Sequence, residues 1–175
     1  MLAEEWYKKF YSGFYNDSQI LTVADSKNLT DEAWTRGMDG FLKRLAGSLG
    51  YKVAPESRVI GQQRIDHRWA KPGSTVVLEH ENNYTSISNE IQKLLGADGD
   101  LRVLITYLPD LDFVAHALKV ADEVASGIKS GRWVEFLLIV GGYEEADWTA
   151  FTFRPEPRVE PIFAKVGRGA VKKTP

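Results

Sequence analysis

A chain of 175 residues with 43% hydrophobic content and a net charge of −2 suits one domain with a real core, and no global basic field draws it to nucleic acid. It has no cysteine, which excludes disulfides and thiolate metal sites. No stretch reaches the apolar length of a membrane span, and the acidic, aromatic start (Glu4, Glu5, Trp6) is unlike a secretory signal, so a soluble cytoplasmic protein is expected.

Trp6, Phe10 and Phe14, with Tyr7 and Tyr11, recur at helical spacing and predict a helix over residues 4–15 that packs on the domain. Thr30-Asp31-Glu32 reads as an N-cap followed by first-turn acids. The helix it opens runs to Leu49, with Trp34, Met38, Phe41, Leu42 and Leu45 inward and Gly50 at C′. Tyr51-Lys52-Val53 begins a strand that Pro55 interrupts or confines to an edge. Residues 58–70 and 75–82 form a hairpin about Pro72-Gly73. Ser86 or Ser88 caps a helix burying Ile87, Ile91, Leu94 and Leu95. Residues 101–108 and 133–140 read as strands apolar on both faces, bridged by a helix over 111–129, which predicts a βαβ unit with parallel pairing. Gly141-Gly142 ends the second of these strands, and residues 148–153 alternate as an edge strand. Residues 155–175 carry Pro155, Pro157 and Pro161, then Lys165, Arg168, Lys172 and Lys173, and read as an extended basic tail behind a domain of residues 1–154. The fold class is α/β (α+β), a mixed central sheet flanked by helices.

The hairpin carries the chemistry. If it is symmetric about Pro72-Gly73, paired residue numbers sum to 145, so Arg68 meets Val77, Asp66 meets Glu79 and Arg64 meets Glu81. Alternation puts Glu79 and Glu81 on one face with Asp66, Gln62, Arg64, Arg68 and Asn83, and puts Ile65, Trp69, Val76 and Leu78 on the other. Like charges directly opposite each other in a sheet are destabilising, so something must neutralise three clustered acids. A divalent metal is the leading candidate, because directly opposite residues have Cβ atoms about 4.5–5.5 Å apart, close enough for two carboxylates to share a cation.

This element order, with an acid late in one strand and two acids in the next, resembles the PD-(D/E)xK nuclease superfamily, the restriction-endonuclease-like fold. The resemblance implies a core over roughly residues 30–108, with residues 109–153 as an added extension. Asp66 matches the metal-binding acid of the second core strand, and Glu79-His80-Glu81 matches the spacing of the third, which carries an acid, one intervening residue and usually lysine. Glu81 stands where that family usually has lysine, and Ile65 where it has proline. The implied activity is phosphodiester hydrolysis in DNA or RNA with Mg²⁺ or Mn²⁺, Asp66 and Glu79 being the metal ligands and Glu81 a proton acceptor or a ligand to a second ion. Some family members move the lysine to the following helix, where Lys93 lies; an ordinary solvent-facing lysine is the preferred reading, and Glu90 and Gln92 are likewise expected to be exposed. Glu32 is accounted for at least as well by its place in the first turn of its helix as by reaching the site. Arg64 and Arg68 divide evenly between phosphate contact and charge balance for the acids.

His67 and His80 fall on the face opposite the acids and are expected to be partly buried and hydrogen-bonded, with too few neighbouring ligands for zinc; His116 has no evident catalytic partner. There is no phosphate-binding glycine loop. The competing reading is a nuclease-like domain without catalysis that serves as a binding or assembly module, which admits a homo-oligomer. A glycosidase built on the opposed acids ranks last.

Overall fold

Helix α1 (Ala3–Asn16) gathers Trp6, Phe10 and Phe14 on one buried stripe, as their four-residue spacing requires. The stripe continues into a ring stack. Trp6 lies 5.5 Å from Trp69 on the sheet, and Phe14 meets Phe41 edge-on at 5.6 Å. The computed structural model describes residues 3–26, 30–54, 57–58, 64–108, 113–129, 135–142, 148–153 and 159–160. Helix α2 (Ser18–Ala24), which hydrophobic periodicity does not reveal, starts at Asp17, whose carboxylate accepts the N–H groups of Gln19 and Ile20. Helix α3 (Asp31–Ser48) starts at Thr30, whose hydroxyl accepts the Ala33 N–H; after it, Gly50 takes φ +74°, the left-handed geometry that a C′ glycine supplies.

Among the described residues the sheet has seven strands in the order β1 (Lys52–Ala54), β4 (His67–Lys71), β5 (Ser74–Glu81), β6 (Leu101–Leu108), β7 (Glu135–Gly142), β8 (Trp148–Phe153) and β9 (Val159–Glu160). β1, β4 and β5 are antiparallel neighbours, β5, β6 and β7 run parallel, and β8 and β9 return antiparallel. The parallel strands are joined by α4 (Ile87–Gly96) and α5 (Phe113–Lys129), as crossover connections require. The fold is therefore a mixed α/β sheet covered by helices. Helices α1 and α3 pack on one face, over Trp69, Val76, Leu78, Val103 and Ile105. Helices α4 and α5 pack on the other, over Val77, Leu104, Phe136 and Leu138. No helix among the described residues is long and apolar enough to cross a membrane.

The hairpin register holds from Ala70↔Thr75 to His67↔Leu78, with Gly73 at φ +72° in the turn. Four expectations about its surroundings need correction. The strand expected over 58–70 breaks at Asp66, which sits in a bend; Arg64–Ile65 form a separate short strand, β3, paired with β2 (Ser57–Arg58). The break reverses the alternation, so Ile65 packs in the second core with Val77 and not beside Trp69. Arg64 consequently faces Arg58 across its ladder and not Glu81. The acid-bearing face is also not a polar surface, because α4 covers it.

Gly141 and Gly142 are the last two residues of β7, paired with Tyr107 and Leu108 of β6, so the strand ends on them. A Cβ at Gly141 would stand 2.9 Å from the Trp148 ring, so a hydrogen is what lets the two strands carry that ring. β8 is covered by β9 and is not an edge. Apart from Val159–Glu160, the tail expected over 155–175 lies outside the described residues, as does Gln62.

Candidate active site around Glu79

β5 delivers Glu79 into the layer between the sheet and α4, where it is 1% exposed. Asp66, at the bend before β4, is exposed and stands over it. Where β4 stops, the N–H of His80 has no ladder carbonyl opposite; the Asp66 carboxylate accepts it at 3.0 Å. A break in one strand thus aims an acid at its neighbour. Asp66 also shares a side-chain hydrogen bond with Glu79. Two carboxyls can do so only when one of them carries a proton.

Burial, then the Asp66 charge, then that hydrogen bond push the Glu79 carboxyl up to about 9, and the nearby ammonium of Lys93 only partly offsets them. Glu79 is therefore the member of the pair that holds the proton at neutral pH. Lys93 Nζ lies 3.1 Å from Glu79 Oε1, an ion-pair distance at an angle that makes no hydrogen bond, so this buried oxygen has no hydrogen-bond partner. Lys93 also pairs with Glu90 one turn back along α4 and donates to the Arg64 carbonyl at 3.3 Å. Burial disfavours the Lys93 charge, but Glu90 and Glu79 outweigh it and hold the ammonium above its usual range.

Lys93 and Glu90 are thus members of the site and not solvent-facing residues. Their side chains keep only 18% and 12% of their exposure. The signal was present in the sequence: Glu90 sits three residues after Ile87 and four before Leu94, on the stripe that α4 buries, and Lys93 flanks it at i+3. Glu32 is elsewhere, exposed and paired with Arg36.

Glu81 follows Glu79 on the same side of β5, but its carboxylate turns to accept the Asn83 N–H at 2.6 Å. Among the described residues no three His, Cys, Asp or Glu side chains gather as a group that could hold a metal ion. Asp66 and Glu79 do meet. Two carboxylates are the oxygen donor type that a hard divalent cation takes, although one Glu79 oxygen already faces the Lys93 ammonium.

On the opposite face, His80 Nε2 bonds the Tyr107 hydroxyl at 2.8 Å, and burial pushes the ring down to about 4. His67 is 4% exposed, with Nε2 3.3 Å from Asp39 Oδ1 on α3; burial lowers its pKa despite that carboxylate. Both rings belong to the packing between α3 and the sheet and not to the carboxylate site.

No family model matches the chain, and no curated protein matches it. Among solved structures it is similar to the central domain of yeast acetyl-CoA carboxylase, at 10% identity and a TM-score of 0.44, over 91% of this chain and 34% of that one. The chain thus spans about a third of the length of that structure.

Proposed function

We propose that the protein is a divalent-metal-dependent nuclease that hydrolyses phosphodiester bonds in DNA or RNA, with Asp66 and Glu79 as metal ligands. The observation that carries the reading is the meeting of Asp66, Glu79 and Lys93 at the break between β3 and β4. It is supported by the element order, in which α3, the antiparallel strands β1, β4 and β5, α4 and β6 follow the helix, three-strand meander, helix and strand of the PD-(D/E)xK core. Lys93 takes the place of the lysine absent at position 81, from the helix that follows.

When bound, Mg²⁺ or Mn²⁺ supplies Lewis acidity toward a phosphoryl oxygen and lowers the pKa of a bound water. The chain's own groups do the rest. Asp66, open to solvent, and Glu79, with its proton passed to solvent, would hold the ion. Lys93 keeps its charge beside them and offsets negative charge that develops on the phosphoryl group. The cover of α4 over Glu79 keeps that pair in a low-dielectric setting, where it is worth more than in water. Such an enzyme would meet its substrates and Mg²⁺ in the cytoplasm.

One observation favours the second reading, a nuclease-like domain that binds or assembles without catalysis: Lys93 already sits against Glu79. A single assay separates the two. Mixed single- and double-stranded DNA and RNA are incubated with Mg²⁺ or Mn²⁺ beside Asp66→Asn and Lys93→Met. Each substitution is expected to slow cleavage about a hundredfold, the scale for losing one group that stabilises transition-state charge. Cleavage at the same rate in both variants would remove the nuclease reading. Absence of cleavage by the wild type, with no heat on titrating Mn²⁺ and a stable oligomer in solution, would favour the assembly module.

A further inference from the structure

We infer that Glu81 is a positioning residue: its carboxylate fixes the turn that starts α4, and α4 in turn holds Glu90 and Lys93 against Glu79. Alternation along β5 places Glu81 on the same side as Glu79, yet its Oε1 is taken by the Asn83 N–H at 2.6 Å. Asn83 is the hub of the connection. Its Oδ1 accepts both the N–H of Thr85 at 3.0 Å and the hydroxyl of Thr85 at 2.8 Å, and its carbonyl accepts the N–H and the hydroxyl of Ser86. Ser86 occupies the N-cap of α4 but makes no capping hydrogen bond with its side chain. The start of α4 is therefore defined by the Asn83 turn before it, and the charged end of that chain of bonds is Glu81. Seven residues after Ser86, in the second turn of a helix only ten residues long, Lys93 reaches Glu79. A shift of one residue in where α4 begins would rotate Lys93 by about 100° around the helix and out of the site.

The consequence for cleavage rests on the proposed nuclease reading; the positioning itself does not. This separates two accounts of the acid at position 81. A proton acceptor or metal ligand needs a carboxylate. A positioning acceptor needs only an oxygen, which glutamine also supplies.

The experiment compares Glu81→Gln with Glu81→Ala in the full chain by three readouts: amide hydrogen exchange at Asn83 and Thr85, the ¹⁵N signal of the Lys93 ammonium, and the cleavage rate with Mn²⁺. In the glutamine variant all three stay near wild type. In the alanine variant the Asn83 and Thr85 amides exchange about tenfold faster, as expected for one lost charge-assisted hydrogen bond, the Lys93 signal moves, and cleavage falls with it. Loss of cleavage in the glutamine variant with exchange and the Lys93 signal unchanged would overturn the inference and make Glu81 a chemical participant. Unchanged exchange in the alanine variant would overturn it as well. If the wild type cleaves nothing, the nuclease reading falls alone, and the exchange rates and the Lys93 signal of the alanine variant still decide whether Glu81 positions α4.

Discussion

Replacing Arg102 with methionine is expected to lower the free energy of unfolding by about 3–5 kcal/mol, although the residue lies at no surface and in no candidate site. Arg102 is 3% exposed, on the face of β6 that α4 covers. Its guanidinium donates to the Leu94 carbonyl at 2.8 Å, to the Gly99 carbonyl at 2.8 Å and to the Ala97 carbonyl. These are carbonyls of the last turn of α4 and the segment beyond it, at the negative end of the helix dipole; the Leu94 carbonyl also accepts the Ala97 N–H at 3.1 Å. The planar fork of arginine serves all three at once, and the charge strengthens each bond. Methionine keeps the apolar stem, leaves the Leu94 carbonyl only its bond from the Ala97 N–H, and takes the guanidinium from the Ala97 and Gly99 carbonyls, at about 1–3 kcal/mol for each buried group left unmet and with less than full additivity. Urea unfolding followed by tryptophan fluorescence measures the loss, and the melting temperature should fall by about 6–15 °C at this chain length. Arg102→Lys should recover less than half of it, because an ammonium is a point charge that cannot span three carbonyls. A methionine variant within about 1 kcal/mol of wild type would mean that water reaches these carbonyls when the guanidinium is gone.

Arg102 and Glu81 together explain how so short a helix can aim two charged groups. Glu81 acts at the N-terminal side of α4 through Asn83, and Arg102 acts at its C-terminal side through Leu94, Ala97 and Gly99. Ile87, Ile91 and Leu94 seat the helix on the sheet between those two clamps. Glu90 and Lys93 lie along the flank of that apolar stripe, so the packing of three aliphatic side chains sets where the charges fall.

Much of this was legible in the chain because its signals are local. The aromatic spacing of α1, the Thr30 cap, Gly50 and the Pro72-Gly73 turn each predict structure from neighbours in sequence, and each element stands where its signal puts it. The pairing from Ala70↔Thr75 to His67↔Leu78 followed from the same turn, since a hairpin register needs only its centre, and it brings Asp66 to the end of the ladder beside Glu79. What failed to carry over depends on contacts far apart in sequence. Symmetry about the turn cannot foresee that the strand stops at Asp66, which moves Ile65 to the other core and Arg64 away from Glu81. Nor can it foresee that α4 covers the acid face, which turns Glu79 from a surface acid into a buried one and draws Lys93 inward. Glu81 looked like part of the acid pair because period-two alternation assigns a face; it does not assign a hydrogen-bond partner.

The burial of Glu79 makes a second large prediction, one that reads as a slope and not as a single value. An isolated glutamate ionises near 4.5, and in the folded protein Glu79 is pushed up to about 9 by burial and by Asp66. Between those two values the folded chain keeps a proton that the unfolded chain has released. The folded state therefore binds more protons than the unfolded state, and stability falls as pH rises across this window, by up to about 1.4 kcal/mol per pH unit. Below about pH 4.5 Glu79 is protonated in both states and its contribution is flat. Glu79→Gln mimics the protonated form and cannot titrate. Its stability should match wild type near pH 5 and exceed it by about 4 kcal/mol at pH 8, so that urea midpoints measured at pH 5, 6, 7 and 8 diverge steadily. Parallel curves for the two proteins would show that Glu79 is ionised in the folded state at neutral pH, neutralised outright by Lys93. The same proton gives a test of the metal reading that needs no substrate. A cation that takes Glu79 as a ligand must displace its proton, so Mn²⁺ binding at pH 7 should release about one proton per ion. The measured heat of binding would then vary with the ionisation enthalpy of the buffer in the wild type and not in Glu79→Gln. Binding heat independent of buffer in the wild type would place the cation on Asp66 without Glu79, and would take from the buried acid its role as a ligand.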